Sequence, residues 1–261
     1  MKIILTESQL SEIKTLQEGF SDIGTPDMKY YAFDWDDNIM RMPTEIVVMD
    51  ENGNEVGMST EDFAEYRVKI GNEPFNYRGK TIVGLAKDAF RNFTTKGDKK
   101  FISDSQRAEL GPAWSDFVEA LNGGSIFSII TARGHTPSVL RDAVYNLINN
   151  NKDGINKEEI IKNLKKYRDL MGEDDGSKKE LIREYLDMCR FYPVSFGEGS
   201  ATNPEEGKIK ALREFVGYVK EISKLLGKKA FIKNDVSNNF VPSIGFSDDD
   251  IRNVQHVSKH F

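Results

Sequence analysis

The chain is expected to fold as an α/β protein: an open, doubly wound parallel sheet with an inserted α+β segment and extra helices. Four short apolar runs, each ending in polar residues, alternate with stretches of helical periodicity. The first run is apolar throughout, which suits a central parallel strand buried on both faces. With 261 residues and 38% hydrophobic content, the chain can build one substantial core plus an insertion.

Taken in order, Thr6-Glu7-Ser8-Gln9 reads as a capping box, and Leu10, Ile13 and Leu16 continue at helical spacing, so a short helix is expected over 6–18. Residues 19–27 read as a linker into the first core strand, Lys29 to Asp34. Glu45 to Met49 and Glu55 to Met58 flank Asp50-Glu51-Asn52-Gly53-Asn54, the turn chemistry of a hairpin. Ser59 or Thr60 is expected to cap a helix to about Ile70, with a loop from Pro74 to Gly79 and a helix from Thr81 to Phe93. Residues 41–105 thus read as a compact insertion. Pro112 to Leu121 returns the chain to the core as a helix that Asn122-Gly123-Gly124 ends, ahead of the second strand, Ser125 to Thr131. Helices follow over Pro137 to Asn149, Lys157 to Met171 and Ser177 to Cys189. A third strand, Phe191 to Phe196, a helix from Pro204 to Leu226, an extra loop from Gly227 and a fourth strand, Val241 to Phe246, complete the core.

Composition excludes several functions. No apolar run approaches ~18 residues and Met1 to Leu5 is too short for a secretory signal, so no membrane partner and a cytoplasmic location are expected. One cysteine, Cys189, rules out an internal disulfide and a cysteine-rich metal site, and it reads as a small buried apolar group. Asn149 to Glu159 resembles a calcium loop, but Ile160 stands where the bidentate glutamate is required. Gly207-Lys208 lacks the glycine and hydroxyl residue of a phosphate-binding P-loop. The net charge of -6 argues against general nucleic-acid binding, yet nine basic and three acidic residues between Tyr66 and Lys100 make that segment locally +6.

The strand ends carry the candidate chemistry. Asp34 and Asp36, in Phe33-Asp34-Trp35-Asp36-Asp37-Asn38, emerge together where the first strand stops. One such carboxylate can bind metal and attack phosphorus while the other protonates the leaving oxygen. The second strand ends in Ile130-Thr131-Ala132-Arg133-Gly134, which offers a hydroxyl and successive backbone N–H groups to a phosphoryl oxygen. Lys208 lies in the first turns of a helix after the third strand, with Lys210 as its rival. The fourth strand ends in Asp248-Asp249-Asp250, suited to a hard cation with oxygen ligands. His135, directly after the second of these motifs, is a candidate to reach the site mouth, whereas His256 and His260 read as helix or tail residues.

In this order the four elements resemble the four motifs of the haloacid dehalogenase (HAD) superfamily of Mg2+-dependent phosphohydrolases. The resemblance covers the core strands and not the insertions, and the overall cast is similar to HAD-like proteins of large tailed phages. It implies that Asp34 is the nucleophile and a metal ligand, and that Asp36 is the general acid/base and a metal ligand through its backbone carbonyl. It further implies that Thr131, with the Ala132 backbone, binds phosphate, that Lys208 is the third-motif lysine, and that Asp248 and Asp249 are metal carboxylates. The chain departs from the pattern at Asp37-Asn38, where a glycine and a threonine are usual.

In this superfamily an insertion after the first motif resembles a cap that closes over the site and excludes water. Residues 41–105 occupy that place. Their positive excess, with Phe63, Tyr66, Phe75, Tyr77, Phe90 and Phe93, could present a cationic, aromatic face, or the aromatics could be the small core of the cap. The expected activity is phosphomonoester hydrolysis through an aspartyl phosphate, with a nucleotide or another small phosphorylated compound as substrate. The alternatives are a polynucleotide-end phosphatase acting on a nucleic-acid end and a non-catalytic binding or structural protein on the same scaffold.

Overall fold

The computed structural model describes residues 29–171, 178–196, 204–234 and 244–260. The expected amino-terminal helix and linker lie outside the described residues. Ten strands are described: β1 (Tyr30–Phe33), β2 (Met40–Arg41), β3 (Ile46–Asp50), β4 (Glu55–Met58), β5 (Phe75–Tyr77), β6 (Lys80–Leu85), β7 (Glu109–Leu110), β8 (Ile126–Thr131), β9 (Arg190–Pro193) and β10 (Ile244–Ser247). The helices are α1 (Thr60–Tyr66), α2 (Asp98–Arg107), α3 (Trp114–Asn122), α4 (Pro137–Asn149), α5 (Lys157–Met171), α6 (Lys178–Met188), α7 (Pro204–Asn234) and α8 (Ile251–His260).

The four expected core strands form one sheet in the order β10-β1-β8-β9. All its pairings are parallel, with Phe33 beside Ser247 on one side and Ile129 on the other. Alternation along the strands sends Phe33, Phe127 and Ile129 to one face and Tyr30, Ala32, Ile126 and Ile130 to the other. The first face packs on Phe117 of α3, Leu140 and Val144 of α4, Ile160 of α5 and Ile182 of α6. The second packs on Leu212, Phe215 and Val219 of α7. Phe117 meets Phe33 and Phe127 edge-on at 5.5 Å in each case, worth ~0.5–1.5 kcal/mol per pair beyond the burial itself. The sheet is therefore covered on both sides, as its near-continuous apolar strands require.

Local chemistry sets the element ends. Thr136 caps α4 by accepting the Val139 N–H, with Pro137 at the first helical position. Ser59 caps α1 by accepting the Asp62 N–H at 3.1 Å. The Asp50 side chain accepts the N–H groups of Asn52 and Asn54 and so closes the β3–β4 hairpin. A second antiparallel sheet has the order β4-β3-β6-β5 and an apolar cluster of its own, Val48, Met58, Phe75, Tyr77 and Ile82, against which Phe63 and Tyr66 lie. A two-stranded ladder, β2 with β7, joins the two ends of this region.

Four sequence expectations are corrected here. Residues 75–77 form a strand within the expected loop, and 80–85 form a strand where a helix was expected over Thr81 to Phe93. Only the short 3-10 turn Arg91–Phe93 is helical in that range. The turn between the two strands is Arg78-Gly79, both at positive φ (50° and 78°), as a two-residue hairpin with the right-handed twist demands. Helix α1 ends at Tyr66, not Ile70, and α7 runs on to Asn234, so the extra loop does not begin at Gly227. No helix of the described residues is long and apolar enough to cross a membrane. Cys189 is buried, and burial pushes its thiol up to about 12, which leaves it inert. The calcium-like loop is used for packing: the Trp114 indole donates to the Asp153 carbonyl at 2.9 Å.

Candidate functional site

The carboxyl ends of β1, β10 and β8 lie side by side, since these strands are neighbours in a parallel sheet. The residue after each strand therefore enters one crevice, where parallel sheets bind ligands. Asp34 follows β1 and Asp248 follows β10; the ligand oxygens of Asp34, Asp248 and Asp249 all lie within 4.8 Å of one another. Lys208, in the second turn of α7, places its ammonium 3.0 Å from Asp34 Oδ2 and 2.8 Å from Asp248 Oδ2. Lys210 is exposed on the same helix, so the choice between the two lysines falls on Lys208.

The crevice is buried over most of its groups as well as acidic. Asp34 is 5% exposed, Lys208 7% and Asp248 fully buried, and only Asp249 is exposed among these groups. Burial, opposed by Lys208 and reinforced by Asp248, Asp249 and Asp36, holds the Asp34 carboxyl well above the usual carboxylate range. Loss of hydration and the Asp248 charge push Asp249 up to about 6. Burial alone would lower the Lys208 ammonium, but Asp34 and Asp248 outweigh it and push it up. If all four groups are ionised, two negative charges remain uncompensated. Asp34 Oδ1 is buried with no hydrogen-bond partner. An orphaned carboxylate oxygen buried in an acidic crevice is what a cation would satisfy.

The site's geometry is fixed from behind. Asp248 accepts from the Asn253 amide at 2.9 and 3.0 Å and from the Asp250 N–H at 3.0 Å. The Asp34 N–H donates to the Ser247 carbonyl at 2.9 Å. Asn38, buried, donates to the same carbonyl at 3.0 Å and accepts the Ser247 hydroxyl at 3.0 Å. The departure at Asp37-Asn38 thus has a structural use: the amide fastens the end of β10 to the turn after β1. Asp37 adopts the left-handed conformation (φ 56°) that favours glycine and that aspartate tolerates, and its N–H bonds the Met40 carbonyl. Asn38→Ala is expected to cost about 2 kcal/mol in urea unfolding by leaving the Ser247 hydroxyl without its acceptor, and to weaken metal binding by loosening Asp248 from Asp34.

At the end of β8, Thr131 and Arg133 turn to Asp36. Thr131 is fully buried; its hydroxyl donates to Asp36 Oδ2 at 3.4 Å and accepts the Arg133 N–H at 3.3 Å, so it points at the second aspartate. Ala132 is exposed at the crevice. Asp36 is not in the acidic group around Asp34: its carboxylate is gripped by Arg133, Nε to Oδ2 at 2.8 Å and Nη2 to Oδ1 at 2.7 Å. His135 does not reach the site mouth. It is fully buried behind Arg133, stacked on Phe101 at 4.6 Å, with Nδ1 2.8 Å from Asp98 Oδ1. α8 spans both other histidines. Arg133, Asn38 and Asn253 are the functional neighbours that sequence reasoning missed; only the position of Arg133 inside the second motif hinted at a role.

Of the two readings of the insertion, the cationic face is largely neutralised. Arg67, Arg78, Arg91 and Lys100 pair with Glu205, Asp62, Glu55 and Asp104, all outside the segment counted as +6, and Lys96 pairs with Asp88 inside it. Most of the aromatics form the small core of this region, leaving Phe90 as the exposed ring. Compared with protein-family models, curated proteins and solved structures, the chain finds no match in any of the three.

Proposed function

We propose that this protein is a Mg2+-dependent phosphomonoester hydrolase of HAD type that works through an aspartyl phosphate on Asp34. In this reading the parallel sheet and its two helical layers are a doubly wound core, and residues 41–105 are its cap. The observation that carries it is the orphaned Oδ1 of buried Asp34, whose carboxylate groups with those of Asp248 and Asp249 beside Lys208 at the end of a central strand. Oxygen donors alone make up this group among the described residues, which suits a hard cation such as Mg2+. Asp34, Asp248 and Asp249 would hold it, with the Asp36 carbonyl as the further ligand that the resemblance implies. The bound ion would neutralise the carboxylates and the phosphoryl oxygens so that like charges can meet.

The chain's own residues would do the rest. Asp34 attacks phosphorus, and Lys208 offsets the charge on both the nucleophile and the transferred group. Asp36 protonates the leaving oxygen and then takes a proton from the water that cleaves the phosphoenzyme. The paired charges on the insertion favour a nucleotide or other small phosphate ester over a polynucleotide end. Because Arg133 engages Asp36, one second reading stands: a scaffold that binds Mg2+ and phosphate without turnover.

A panel of nucleotides, sugar phosphates and end-phosphorylated oligonucleotides, scored by Mg2+-dependent phosphate release, tests the proposal. Release from none of them, with Mg2+ still bound, would leave the scaffold reading. Mg2+ should also raise the melting temperature, by the equivalent of about 2.7 kcal/mol at about a hundredfold excess over its dissociation constant. Protons compete for the raised carboxyls of Asp34 and Asp249, so this shift should be full in mildly alkaline buffer and shrink as pH falls through about 6.

A further inference from the structure

The contacts of the buried Arg133 guanidinium fall into two sets. One is Asp36, held by both edges of the guanidinium fork. The other set comes from the insertion or its immediate end. Thr44 Oγ1 accepts from Nη2 at 3.2 Å, and the Phe93 and Phe101 rings sandwich the group at 4.6 and 4.8 Å. Asp98 reaches it through His135, whose Nε2 lies 3.3 Å from Nη1. Arginine only donates, so Nε2 must accept, and the ring proton sits on Nδ1 facing Asp98. The next residue, Gly134, donates its N–H to the Phe93 carbonyl at 2.7 Å.

We propose that Arg133 is the positioning residue through which the insertion aims Asp36 as the base of the dephosphorylation step, so that Asp36 is in line only when the insertion is seated. This rests on the hydrolase reading above. In that step the water oxygen bonds to phosphorus, the bond from phosphorus to the Asp34 carboxylate breaks, and the water proton passes to Asp36. A lone carboxylate on a turn rotates freely about its terminal torsion. A planar fork of donors fixes its plane, and the fork is itself fixed by Thr44, Phe93 and Phe101 directly and by Asp98 through His135.

The test uses Asp98→Asn and Thr44→Val in the full chain, neither of which touches Asp34 or the metal carboxylates. With p-nitrophenyl phosphate and Mg2+, both variants should lose about tenfold or more in kcat. KM should fall alongside, a burst of p-nitrophenol should appear, and kcat/KM should stay within about threefold because attack by Asp34 is untouched. Loosening of the fold alone would lower kcat and kcat/KM together; that result, or no change in either, overturns the proposal. The Arg133 Nε–H proton gives a reading independent of turnover. By NMR it should exchange slowly in the parent and rapidly in both variants, and slow exchange in both variants would overturn the seating. Should the parent release neither p-nitrophenol nor phosphate from the panel above, the hydrolase reading fails by that result, and the seating of Arg133 by the insertion is decided by the Nε–H exchange.

Discussion

Asp34→Asn is expected to abolish phosphate release, by at least about a thousandfold, while making the Mg2+-free protein more stable. The two effects share one cause. Asp34 is an ionisable group placed where its charge is costly: burial raises its carboxyl, and the neighbouring carboxylates raise it further. A raised carboxyl means that the folded state binds its proton more tightly than the unfolded state. The penalty is therefore absent at pH below the unfolded value, grows as pH rises, and is complete above the folded value. Replacement by the uncharged amide removes it, so at neutral pH the melting temperature should rise by about 2–4 °C, and in acid the gain should vanish. Differential scanning calorimetry on both proteins at the two pH values checks this. Stability traded against chemistry at one residue is the signature of a working site.

Lys208→Met should have the opposite effect on stability. Methionine fills the space but leaves Asp34 and Asp248 facing each other in a buried crevice without their shared cation. Removing one partner of a buried ion cluster costs about 3–5 kcal/mol, which urea unfolding would register. Mg2+ should restore part of this loss, because a divalent ion replaces the missing positive charge, and the Mg2+-induced stabilisation should be larger in the variant than in the parent. Turnover should still fall by about a hundredfold or more, since the ammonium also offsets charge developing on the transferred group. The pairing with Asp34 and Asp248 keeps the ammonium protonated, so its contribution is constant through neutral pH and is lost only in strong alkali.

Why some of this was legible in the sequence follows from where the information sits. The core strands announce themselves as near-continuous apolar runs, and the helices over 137–149 and 157–171 by apolar residues at helical spacing. Asp34, Asp248 and Lys208 were legible because parallel pairing forces residues after neighbouring strands into one crevice. The β5–β6 hairpin was not. Ile82, Val83, Leu85 and Ala86 fit a helical stripe as well as a strand, and Arg78-Gly79 lacks the asparagine or aspartate that usually marks such a turn. The basic insertion stayed open between two readings for a related reason: a charge count along the chain cannot see Glu55, Asp62, Asp104 and Glu205 folding back onto it. The contacts of Arg133, Asn38 and His135 were beyond reach because their partners Asp36, Ser247 and Asp98 lie 97, 209 and 37 residues away along the chain.

The most direct measurement is a crystal structure of the protein soaked with Mn2+ as an anomalous stand-in for Mg2+. The expected result is one strong peak bounded by the carboxylates of Asp34, Asp248 and Asp249, with Asp34 Oδ1 turned onto the ion and Lys208 still bridging. A peak elsewhere, or no peak between these three carboxylates at saturating metal, would contradict the site and with it the hydrolase reading.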